Sequence, residues 1–152
     1  MNFEPFDTSL IIQRIVQSVP ELTVGGAADY AAVQELRSFR TPAAYVVFAD
    51  EKNTGKVPTT FDVCTQEAVV QFGVILALRN YREQLGEQMA DDTRRLIGLV
   101  RRALIGHKPA SRGARTVGWL GGNVLDYDAS VLLFADMYQL HRTMHRDDNA
   151  DS

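Results

Sequence analysis

The chain has 152 residues, 45% hydrophobic and 23% charged, an ordinary balance for one soluble domain with a single core. A formal net charge of −3 is too small to argue for a polyanionic partner or against one. A lone cysteine, Cys64, excludes an internal disulfide and a cysteine-based zinc site, and no apolar run is long enough to span a bilayer.

The opening MNFEPFD is acidic and lacks an apolar stretch, so no signal peptide is expected, and a reducing cytoplasm is the expected place of synthesis. Residues 7–19 read as a helix with Ile11, Ile12, Ile15, Val16 and Val19 on one stripe. Asp7 is its expected N-cap, Phe6 its staple onto Ile11, and Pro20 its stop. An extended piece over 22–24 leads to a Gly25-Gly26 turn and a short alanine-rich helix or helical loop over 27–36. Residues 43–49, AAYVVFA, are a short apolar strand. Residues 50–65 hold Asn53, Gly55 and Pro58, all turn formers, and predict an extended hairpin arm or mobile loop.

Residues 67–79, EAVVQFGVILALR, form the spine. Val70, Phe72, Val74, Leu76 and Leu78 alternate without a break, the period of a strand with one buried face. Ile75 and Ala77 make the centre apolar on the second face too, as in a strand covered on both sides or central in its sheet. After a loop over 80–86, residues 87–105 predict the second main helix, with Met89, Thr93, Leu96, Ile97, Val100 and Leu104 inward and Gly106 and Pro109 ending it. A basic loop over 108–115 precedes two closing strands, 116–127 and 130–142, joined by a tight turn at 126–129. Gly121-Gly122 predicts a bulge or kink in the first. One domain over 1–152 is expected, with a polar tail from about residue 146. Strands joined by turns favour antiparallel pairing. The expected fold is therefore α+β: a two-layer sandwich of a mainly antiparallel or mixed sheet with two principal helices packed on one face.

No stretch spells out a reaction. Cys64 lacks a nucleophile elbow and reads as a small packed residue. His141 and His145 have the four-residue spacing of a helical metal pair, but fall where a strand is expected and lack the accompanying glutamate. The glycine pairs match no phosphate-binding pattern, and Asp126 and Asp128 read as turn residues. No catalytic residue, cofactor or metal is therefore expected. Arg94, Arg95, Arg101 and Arg102 recur seven apart, with Arg112 and Arg115 following. They read either as a solvated helix face or as a contact surface for an acidic partner or passing nucleic acid, without the aromatic interleaving of single-strand binders. Lys52, Asn53 and Lys56 on the polar arm are further contact candidates.

The ordered phrases VPEL, GGAADYAA, TPAAYVVFADEKN, QEAVVQFGVILALRN, DDTRRLIGLVRRALIGHKP and GWLGGNVLDYDASVLLFADMY resemble the phage tail terminator family of long-tailed phages and Mu-like prophages, over residues 7–142. The resemblance implies a structural virion protein with no enzymatic activity, assembled in the host cytoplasm. It would form a ring, typically a hexamer, at the head-proximal end of the tail tube, ending tube polymerisation and giving the head a docking face. The implied partners are further copies of the chain, the tail tube protein, the sheath protein where one exists, and the head–tail connector. DNA would pass through without sequence-specific binding, and no membrane is involved. The family supplies no reactive residue to carry over. The alternative is another head–tail connector or minor tail protein of similar fold.

Overall fold

The computed structural model describes residues 3–56, 65–80 and 91–145. Cys64, Met89, the far part of the arm, most of the 80–86 loop, the first residues of the expected second helix and the tail from 146 lie outside the described residues. The spine is realised as β3, Thr65–Arg79, the central strand of a five-stranded sheet. Before it come α1, Ser9–Ser18; β1, Thr23–Gly26; α2, Ala27–Ala31; a 3-10 turn, Leu36–Ser38; and β2, Ala43–Asn53. After it come α3, Asp91–Leu104; β4, Gly118–Tyr127; and β5, Val131–His145. The sheet order is β1-β2-β3-β5-β4. Among the described residues only the β1–β2 pair is parallel; β2–β3, β3–β5 and β5–β4 are antiparallel, so the expected α+β mixed sheet is what forms.

Period-two alternation in β3 decides the layers. Val70, Phe72, Val74, Leu76 and Leu78 point to one face, where α1 and α3 bury them with Ile11, Ile15, Leu96, Val100 and Leu104. Ile75 and Ala77 point to the other face and meet Ala43, Tyr45, Val131, Leu133 and Ala135. There the α2 segment and the 3-10 turn lay Tyr30 and Phe39 over Tyr45, with ring centroids 5.6 to 5.8 Å apart. The two principal helices thus share one face, and the minor helix covers part of the second.

The helix ends follow local chemistry. Phe6 is buried in the same core as Ile11, as a staple requires. Asp7 accepts the Ser9 N–H at 3.0 Å, while Thr8 occupies the cap position itself with helical backbone angles. Val16, expected on the buried stripe of α1, is 50% exposed. At 100° per residue it falls just beyond the edge of the Ile11–Ile15–Val19 line. At the end of α3, Gly106 takes a positive φ of 84°, which admits the left-handed turn that returns the chain to Val117. Asp128 acts as a turn residue, its Oδ1 accepting the N–H groups of Ser130 and Val131 at 2.7 and 2.8 Å, whereas Asp126, also expected in the turn, lies in β4 opposite Leu133.

The start of the expected arm is strand. Residues 50–53 continue β2 and pair with 68–71 of β3, because β3 extends far enough to receive them. A register shift between Phe48 and Asp50 bulges the strand at Ala49. No described helix is long and apolar enough to cross a membrane.

Candidate interaction surface

The described residues hold no group of three or more His, Cys, Asp or Glu side chains able to bind a metal. His141 and His145 both lie on β5, where a four-residue separation spans about 13 Å and the imidazoles do not converge. His107 is held below its ordinary value by burial and by the Arg14 charge.

The unusual surface lies on β4. Trp119, Leu120, Val124, Leu125 and Tyr127 are 41 to 54% exposed on this one strand. Bulges displace the register at Leu120 and again at Leu125. β4 pairs only with β5 and ends the sheet, so its outer backbone edge has no strand partner among the described residues. Exposed edge strands are ordinarily blunted by charge or proline; here Asp126 is the only charged residue in the strand. The five exposed apolar side chains together present on the order of 400 Å² along the strand.

Beneath this row lies a buried polar network. Asp136 is fully buried on β5 within an otherwise apolar run. Its carboxylate accepts Arg101 Nε and Nη2 at 2.8 and 2.9 Å, Trp119 Nε1 at 2.9 Å and the Tyr138 hydroxyl at 3.1 Å. Four donors satisfy the charge, as a buried carboxylate requires. The pairing raises the Arg101 guanidinium further, and burial, with the Asp136 charge behind it, pushes the Tyr138 phenol far up. Arg101 also stacks 4.7 Å from the Trp119 ring centroid. The indole is thus pinned at its N–H and across its face while its remaining surface meets solvent. Gly122 makes room for the network, since a Cβ there would stand 2.5 Å from Asp136 Oδ1 and 2.7 Å from Phe134. A second pair, Arg142 with Glu51 at 3.0 Å, ties β5 to β2, and Arg142 Nη1 also holds the Glu4 carbonyl.

The arginines expected on one stripe divide by task. Arg95 bridges to Glu21 and Asp92 at 2.8 Å on the exposed surface near β1. Arg94 reaches Asp91 at 3.6 Å and, with Ile97, Gly98 and Arg101, forms the α3 wall of a groove floored by Phe134. Arg101 turns inward and pairs with the buried Asp136 while its own side chain stays partly exposed. Arg102, Arg112 and Arg115 are exposed, Arg115 donating its backbone N–H to the His141 carbonyl. On the arm, Lys52 pairs with Asp50 at 3.4 Å, Asn53 caps the turn by accepting the Gly55 N–H, and Lys56 is exposed. The cationic candidates therefore do not gather into one patch. The apolar edge of β4 leaves no regular alternation in the sequence, because the bulges at Leu120 and Leu125 break it.

Compared with known families, the chain matches the model described as phage tail terminator protein over residues 1–150. None of the curated proteins compared with it matches.

Proposed function

The chain belongs to the phage tail terminator family, and from that premise we propose that it caps the head-proximal end of the tail tube as a closed ring. The ring ends tube polymerisation and gives the head a surface on which to dock. The family is one of structural tail proteins, which places the chain's role in the virion tail. In this reading residues 1–152 form one domain without a reaction of its own. Cys64→Ser and His107→Ala variants then leave capping intact.

The observation that carries the ring is the apolar edge of β4. A closed ring of identical subunits needs a contact in which two different surfaces meet and the rotation closes. An edge strand with five exposed large apolar side chains is one half of such a contact, and its backbone groups are available to a neighbour. A hexamer of the 16.9 kDa chain would weigh about 100 kDa and match a sixfold tube. The tube protein meets one face of the ring, the connector the other, and DNA passes through the opening without base-specific contacts. The bulges of β4 and β2 discourage edge pairing between free subunits, so the tube end serves as the template on which the ring closes.

The test is to add the protein to polymerising tail tube and image the products. Tubes that stop growing and carry density at one end are expected. An unchanged length distribution with bare ends would overturn the reading.

A further inference from the structure

We propose that neighbouring copies in the ring are joined by an antiparallel strand pair, the free edge of β4 in one copy against the outer edge of residues 48–53 of β2 in the next. This rests on the ring reading above and names its joint.

The chain offers both halves. β1 covers β2 only from Ala43 to Val46, so β2 beyond Val46 has no strand on its outer side among the described residues. β4 ends the sheet on the opposite side. Strand direction then decides the pairing. β2 is antiparallel to β3, β3 to β5, and β5 to β4, so β2 and β4 run in opposite directions. A rotation about an axis along the strands preserves each direction. It therefore brings β4 against the next β2 as an antiparallel pair, and repeating the step closes a ring.

The faces agree as well. Phe48 sits opposite Phe72, on the face covered by α1 and α3. Trp119 sits opposite Tyr138, and Val124 opposite Phe134, on that same face. The ring rotation keeps this face on one side of the wall, so Phe48, 42% exposed, meets the apolar row of its neighbour across the joint. Area favours a second copy over a small ligand. A stable contact buries about 800 Å² per partner, and the β4 row supplies on the order of half of it before the backbone and flanking groups are counted. Two β4 edges facing each other would instead close a twofold dimer and leave both β2 edges unmatched. The Asp136 network holds Trp119 in place before contact, which lowers the ordering cost of the joint.

The experiment places a cysteine on each edge in a Cys64→Ser background. Phe48→Cys with Val124→Cys, and Phe48→Cys with Trp119→Cys, cover two registers. Each protein is assembled on tail tubes, treated with a short thiol–thiol crosslinker and run on a denaturing gel. All three sites are exposed, and a thermal melt checks that each variant folds. A ladder of covalent multiples from at least one double variant, with every single variant remaining monomeric, is the expected result. Dimers from Val124→Cys alone would mean that β4 meets β4, and would overturn the proposal. Rings visible at tube ends without a ladder from either pair would overturn this joint and leave the capping reading standing. Bare tube ends with the unsubstituted protein would overturn both.

Discussion

In β3, Val70, Phe72, Val74, Leu76 and Leu78 are fully buried, whereas in β4 Trp119, Val124 and Tyr127, on the same face of the same sheet, are 41 to 54% exposed. The difference lies in what covers them. α1 and α3 pack over the centre of the sheet and stop short of its β4 edge, where the groove along α3 opens instead. Apolar side chains under helices hold the monomer together. Val124 and Tyr127, half exposed at the sheet edge, contribute less to folding and remain available to a neighbour, while Trp119 is held by Arg101 of α3 and by Asp136. In the proposed ring, folding then rests on the covered centre of the sheet and assembly on its edges.

Substitutions break or sharpen that contrast. Phe72→Ala removes a fully buried ring stacked 5.5 Å from Tyr138 and is expected to cost about 3–5 kcal/mol in chemical denaturation. Leu96→Ala, under the same helices, is expected to cost about 2–5 kcal/mol, while Arg94→Ala stays within about 0.5 kcal/mol. The reverse order would place α3 in the wrong rotation. Asp136→Ala strands the Arg101 guanidinium and is expected to cost about 3 kcal/mol. That is the low end of the range for a broken buried pair, because the Arg101 side chain is 33% exposed and water partly replaces its partner. Trp119→Phe tests the pinning separately. It keeps the ring and loses the N–H that Asp136 accepts, so capping is expected to weaken more than stability falls.

The smallest expected effect is a pH response at His107. Its folded value lies below 6.5, so the unfolded chain takes up the proton first as pH falls. Stability is therefore expected to decline slightly below about pH 6.5 and to be unaffected by this group above it. His107→Gln should flatten that part of a pH–stability curve; an unchanged curve would mean that the imidazole titrates normally.

The spine was legible because a buried face imposes a strict period of two, and residues 67–79 keep it without a break. The α3 core positions were legible for the equivalent reason at a period of 3.6. The β4 surface was not. Two bulges shift its side chains out of alternation, and exposure depends on where helices far along the chain come to rest. Asp136 left a trace in the sequence, a lone acid inside VLLFADMY, but its partner Arg101 lies 35 residues earlier and looked like one of a solvated set. Arg142 and Glu51 are 91 residues apart and met only through the strand pairings. The extension of β2 into the polar segment followed from the length of β3, because a turn-rich stretch stays in strand when a paired neighbour supplies its hydrogen bonds.

The central claim is that one strand edge serves assembly and not folding, and a paired measurement on a Val124→Ser, Tyr127→Ser double variant tests it directly. Unfolding free energy and tube capping are measured on the same preparation. The account predicts a free energy within about 1 kcal/mol of the unsubstituted protein, since both sites are surface positions, together with tubes that grow past their normal length and carry no end density. Full capping by a normally stable variant would contradict the account, and so would a variant that loses several kcal/mol of stability.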